Sequence, residues 1–220
     1  MREVTAYDWV PDFARGLVRD VRVRWALEEA GLAYRPEVID HQQKEHPDYL
    51  ARQPFAQVPA YRDGEVNMFE SGAIVMHIAE GSEALMPADT AGRARVLSWA
   101  FAAMNSVEPF IMNVVGTELF CGGEPWAPGY LAYARQGLAQ RLGRLSAVLE
   151  GQDYLVGGRF TAADLLMASV LREPAGGGAL NQFPALAAYR GRCTARPAFR
   201  RALEAQLEDL SAPAPAGFDL

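Results

Sequence analysis

The sequence predicts a chain in two parts, a small α/β unit in the order βαβαββα followed by an all-helical domain. Three observations carry this. Short runs suited to strands occur only before residue 70, and helix-period stretches or a tight-turn pair separate them. A stretch containing Ser, Gly, Pro and Asp, 82–90, reads as a linker. Beyond it strand alternation disappears and Ala/Leu/Arg-rich helical segments follow one another.

In order, Val4-Thr5-Ala6-Tyr7 is the first strand. After a loop rich in Trp, Pro, Asp and Phe, Leu17, Val18, Val21 and Trp25 recur at helical spacing, and Gly31 is a natural residue to end that helix. Residues 34–39 read as the second strand and 46–53 as a short helix. Residues 59–62, a turn at Asp63-Gly64, and 66–69 make a hairpin. Ser71 then opens an apolar helix through Ile74, Val75 and Ile78. The α/β unit thus covers 1–81 and the helical domain 91–210, with helices near 91–115, 129–150, 162–172, 184–195 and 198–210. The glycine-rich run 174–178 reads as a flexible loop, and 211–220, with Pro213 and Pro215, as a loosely attached tail.

Composition narrows the class. The 220 residues are half apolar and 22% charged, which fits a soluble globular protein. The net charge of −6 argues against a nucleic-acid or anionic-membrane partner. No 18-residue apolar run exists, and the start carries no signal-peptide pattern. Two cysteines, Cys121 and Cys193, make no disulfide framework, so a reducing, cytoplasmic setting is expected. With His41, His46 and His77 they show no metal-ligand spacing, and no metal is expected.

Local signals admit more than one reading. Thr161 and Asp164 form a capping box, with Phe160 able to staple against Leu165, a structural device. Val58-Pro59 reads either as a trans proline at a strand start or as a cis bond that exposes the Val58 backbone. Ser71 either merely caps its helix or, with the helix amides, forms a pocket for a carboxylate. Arg19, Arg22 and Arg24 read as a solvated helix face with Glu28. Trp9, Phe13, Phe101, Met104 and Phe110 suit an apolar co-substrate pocket or plain core.

Taken together, these features resemble the soluble glutathione S-transferase family. The resemblance rests on Gln53-Pro54-Phe55-Ala56-Gln57-Val58-Pro59-Ala60, Asp63-Gly64 and Phe69-Glu70-Ser71-Gly72-Ala73-Ile74. Val23-Arg24-Trp25-Ala26-Leu27-Glu28-Glu29-Ala30-Gly31, Phe160-Thr161-Ala162-Ala163-Asp164, Phe183-Pro184-Ala185-Leu186 and Arg196-Pro197-Ala198-Phe199 add to it. It implies a thioredoxin-like N-terminal domain, an all-α C-terminal bundle, a homodimer and a role in detoxification. It also implies glutathione as co-substrate. Val58, beside a cis Pro59, would pair with the cysteinyl part, Glu70 and Ser71 would hold the γ-glutamyl end, and His41, Lys44 and Gln57 the glycyl carboxylate.

The pattern breaks at the thiol. A free thiol ionises near pH 8.5, so a donor or positive charge must favour the thiolate. The family supplies a Tyr at the end of the first strand, or a Ser or Cys at the start of the first helix. Here Leu17 and Val18 stand where that Ser or Cys belongs, and none occurs before Ser71. Tyr7 is left as donor, unless it packs in the core, with Arg15 as electrostatic help and the Trp9 Nε1–H as another donor. The expected activity is glutathione conjugation to small apolar electrophiles. The alternatives are a non-catalytic glutathione-binding or interaction module, or a glutathione-dependent isomerase, peroxidase or dehalogenase.

Overall fold

Four strands pair into one sheet in the order β2-β1-β3-β4. β1 (Arg2–Tyr7) runs parallel to β2 (Tyr34–Ile39) and antiparallel to β3 (Ala60–Asp63), which turns at Gly64 into β4 (Val66–Phe69). Gly64 has φ +60°, a conformation that costs a residue without Cβ little. The parallel β1–β2 pair needs a crossover, and α1 (Asp20–Ala30) supplies it. Between β2 and β3 lies the one-turn α2 (Pro47–Leu50), and α3 (Ser71–Glu80) follows β4. This is the thioredoxin-like arrangement anticipated from the sequence. The structure, a computed structural model, describes residues 1–172 and 176–215 and divides into two units: 1–82 with the residues from 196 onward, and 83–195.

In the first unit, alternation along β1 sends Val4 and Ala6 to one face and Thr5 and Tyr7 to the other. α1 begins at Asp20, not at Leu17, because the chain first makes a 3-10 turn at Asp12–Ala14 and passes through Gly16 at φ +79°. α10 (Pro197–Asp209), although it follows the helical segments in sequence, packs on α1 in this unit. Trp25 meets the edge of Phe199 at 4.7 Å between ring centroids. Arg196 grips Glu29 through two bonds of 2.6 and 2.7 Å.

The solvated arginine face expected on α1 is buried at two of its three positions. Arg22 and Arg24 are each 1% exposed, because α3 and α10 cover the helix. Arg24 donates to Asp20 at 2.7 Å and to Asp209 at 2.5 Å, and Gln206 donates to Asp20 and to the Val18 carbonyl. The tail is also tied where it was expected to be loose. The Ala212 amide donates to the Asp8 carbonyl at 3.1 Å, and Arg15 donates to the Leu210 carbonyl at 3.0 Å. Residues 216–220 lie outside the described residues.

The second unit is helical: α4 (Thr90–Phe101), α5 (Glu108–Phe120), α6 (Ala127–Leu149), α7 (Ala162–Val170), α8 (Gly176–Ala179) and α9 (Pro184–Thr194). A π-helical turn, Ala102–Val107, interrupts the single helix expected over 91–115. Pro109 has no N–H to give the Asn105 carbonyl, which favours a widened turn there. Of the loop expected over 174–178, Pro174 and Ala175 lie outside the described residues, and the glycines begin α8. α7 is the core of this unit, buried along its whole length. Its capping box is present, and Asp164 also accepts from the Leu155 amide at 2.8 Å and the Tyr189 hydroxyl at 2.9 Å.

Candidate functional site

The segment between α2 and β3 is shaped by its own side chains. Gln53 is 3% exposed, and its Oε1 accepts the Phe55 amide at 2.7 Å, bending the chain before Ala56, which sits at φ +52°. The Tyr49 hydroxyl then donates to the Gln57 carbonyl at 2.6 Å. Gln57 is thus held by its backbone while its side chain is exposed. The Val58–Pro59 peptide that follows is cis.

Val58 belongs to a buried cluster with Ile39, Tyr49 and Ala60, and Tyr7 packs against that cluster. Tyr7 also stacks on His41, with ring centroids 4.5 Å apart and planes 10° from parallel. The His41 Nε2 lies 3.0 Å from the Trp9 carbonyl oxygen. Burial pushes the Tyr7 phenol up to about 12, with Glu45 and Asp20 adding to the shift. At neutral pH Tyr7 is therefore a hydroxyl, able to donate a hydrogen bond and unable to act as a base.

On the other side of the hairpin, Glu70 adopts φ +68°, ψ +108°, a left-handed conformation costly for a residue with a Cβ. The first intrahelical bond runs from Ile74 N–H to Glu70 C=O at 3.0 Å, so Glu70 is the cap residue and Ser71 the first helical one. This corrects the reading of Ser71 as cap: its side chain is 3% exposed and turned under Arg22, whose Nη1 donates to Ser71 Oγ at 3.4 Å. Glu70 makes no side-chain cap bond. The amides of Ser71, Gly72 and Ala73 begin the helix without a capping side chain, and such a terminus favours an anion.

The remaining candidates are dispersed. Lys44 pairs with neighbouring Glu45 at 2.7 Å. A cavity of about 760 Å³ opens beside α2, lined in part by Glu37, Asp40, Glu45, His46, Asp48 and Arg52, with Arg52 paired to Glu37 at 2.7 Å. Arg15 is engaged with the Leu210 carbonyl. Phe13 is half-exposed at 36%, and Phe101 is exposed at 59%. Met104 lies in the π turn. Phe110 sits in the α5–α6 seam, beneath the Arg141 guanidinium at 4.5 Å and beside Gly137. Sequence reasoning missed Arg22. Its signal was position alone, two residues before Arg24 on a helix that has to bury a face.

Comparison with known proteins matches two family models: glutathione S-transferase, N-terminal domain, over residues 4–80, and glutathione S-transferase, C-terminal domain, over 120–197. Glutathione S-transferase 3 of Zea mays is 34% identical over 200 residues, 84% of this chain and 88% of the relative. The chain belongs to the glutathione S-transferase family. The enzyme class expected from the sequence, glutathione transferase, stands with it.

Glutathione S-transferase F9 of Arabidopsis thaliana is 32% identical over 148 residues, 63% of this chain and 68% of its own. Among solved structures, a glutathione transferase family member from Pseudomonas fluorescens with two glutathione bound superposes with TM-score 0.79. It is 25% identical, with 92% of each chain covered. The glutathione S-transferase from Xylella fastidiosa has TM-score 0.79 and 23% identity over 94% of this chain and 98% of its own, a likeness of fold. Among the described residues no helix is long and apolar enough to cross a membrane.

Proposed function

We propose that this transferase conjugates glutathione to small apolar electrophiles, with Tyr7 as the donor that favours the thiolate. The observation carrying this reading is that Tyr7 packs against the cluster containing Val58, next to the cis Val58–Pro59 peptide. Val58 presents its backbone to the cysteinyl part in the manner of a one-residue strand addition. Glutathione gives its thiol proton to solvent, and the thiolate attacks the electrophilic carbon, forming the C–S bond as the leaving group (halide from an aryl halide) departs with its bonding pair. Tyr7 stays protonated and gives its O–H to the sulfur.

The α3 terminus takes the γ-glutamyl carboxylate, and Glu70 faces the ammonium. The residues present fit these groups, since the uncapped start of α3 favours an anion. His41, Lys44 and Gln57 remain proposed contacts for the glycyl end. Arg15, which donates to the Leu210 carbonyl, is proposed to add positive charge that favours the thiolate. The chain is proposed to work as a homodimer. Phe55, 63% exposed, and Phe69, 37% exposed, stand 6.1 Å apart and offer a partner an apolar edge.

The test is Tyr7→Phe. Turnover with a standard aryl halide should fall at least about tenfold while glutathione affinity stays nearly constant, the signature of an interaction made to the reacting group. Unchanged turnover removes Tyr7 from the mechanism. A second reading, glutathione binding without activation, is favoured by one fact. No Ser or Cys precedes Ser71, and Leu17 and Val18 have no donor to offer. Binding of glutathione with its sulfur still protonated would establish it.

A further inference from the structure

We propose that Arg22 is a positioning residue of the carboxylate pocket at the start of α3: it makes the Ser71 oxygen an acceptor and so frees the Ser71 proton for the substrate. The inference rests on the reading of Glu70–Ser71 as the γ-glutamyl end.

The argument is one of hydrogen-bond valence. A serine hydroxyl has one proton to give and two lone pairs, whereas arginine has only donors. With the Arg22 Nη1 3.4 Å from Ser71 Oγ, the serine must accept, and its proton points elsewhere. Serines inside helices satisfy that proton on the carbonyl four residues back, as Ser98 does with Ala94 and Ser169 with Leu165. Ser71 cannot, because it is the first residue of α3 and has no helical carbonyl behind it. Its proton is left for the region in front of the Ser71, Gly72 and Ala73 amides. A carboxylate there would accept from a hydroxyl already polarised by a guanidinium, which strengthens the bond it gives.

The test is a comparison of two ligands by titration calorimetry. One is glutathione; the other is its analogue with hydrogen in place of the γ-glutamyl α-carboxylate. Arg22→Lys keeps a cation but loses the planar fork, and Arg22→Gln loses the charge. Melting temperatures report whether each variant is folded. In Arg22→Gln, affinity for glutathione should fall about tenfold or more while affinity for the analogue is unchanged. Arg22→Lys should retain part of the preference, and carries the test if the Gln variant does not fold.

Equal losses for both ligands would mean that Arg22 only supports the fold, and no loss would mean that it does not act on Ser71; either overturns the proposal. Failure of the pocket reading itself looks different. In that case the unmodified protein would bind glutathione no better than the analogue.

Discussion

Replacing Asp164 with alanine strips four donors of one acceptor at once. The carboxylate accepts the Leu155 amide at 2.8 Å, and the Thr161 amide, the Thr161 hydroxyl and the Tyr189 hydroxyl each at 2.9 Å. Asp164, Thr161 and Tyr189 are each 0% exposed, so water does not replace what is lost. The Thr161 amide and the half-buried Leu155 amide lose their acceptor, at about 1–3 kcal/mol each, while the Tyr189 hydroxyl is left with Cys193 beside it. Against this, the wild-type carboxyl is disfavoured in its charged form by burial, which pushes its pKa up, so its removal relieves some desolvation. The balance is a loss of about 3–5 kcal/mol, a large share of the about 5–15 kcal/mol that holds a domain folded. Urea unfolding followed by far-ultraviolet dichroism measures it. Asp164→Asn should cost less, since one amide oxygen can keep the Leu155 and Tyr189 bonds, and Tyr189→Phe should cost about 1 kcal/mol. A loss below about 1 kcal/mol for Asp164→Ala would refute the claim that this carboxylate organises the helical unit.

Two further outcomes follow from other buried contacts. Burial pushes the Asp20 carboxyl up to about 6 against the lowering effect of Arg24 and Gln206, with Asp209 reinforcing the rise. Its folded pKa exceeds the ordinary 3.8, so the native state takes up a proton between those values. Wild type should therefore gain stability relative to Asp20→Asn as the pH falls from 7 to 4.5, read from urea midpoints; a relative loss would mean that the Arg24 ion pair dominates. At Gly92, an added Cβ would lie 2.6 Å from Asp89 Oδ2 and 2.8 Å from the Pro87 ring. Gly92→Ala should therefore lower stability by about 1–3 kcal/mol through displacement of the Asp89 cap, and an unchanged melting temperature would contradict that.

Much of the fold was legible because its determinants are local. The hairpin is written in Asp63-Gly64, the α7 capping box in Thr161 and Asp164, and β1 in the alternation from Val4 to Tyr7. The Glu70-Ser71 pair proposed to hold a carboxylate was legible as a motif, not as a geometry. Nothing local says that Glu70 takes the left-handed conformation and the cap position, displacing Ser71 into the helix. The α1 arginines were misread for a related reason. Whether a charged helix residue is solvated depends on what covers it, and Asp209 lies 185 residues from the Arg24 it pairs with. The π turn at Ala102–Val107 was hidden because Pro109 reads equally as an ordinary first-turn proline.

The central claim is that Tyr7 gives this transferase a working thiol-activating site without the Ser or Cys. It is tested most directly by titrating the purified protein with glutathione slightly below neutral pH and following the ultraviolet absorbance of the thiolate. The account predicts a saturable thiolate signal in the unmodified protein that is lost in Tyr7→Phe, with glutathione still bound. Saturable binding by calorimetry with no thiolate signal in the unmodified protein would contradict it, and would make the chain a glutathione-binding module.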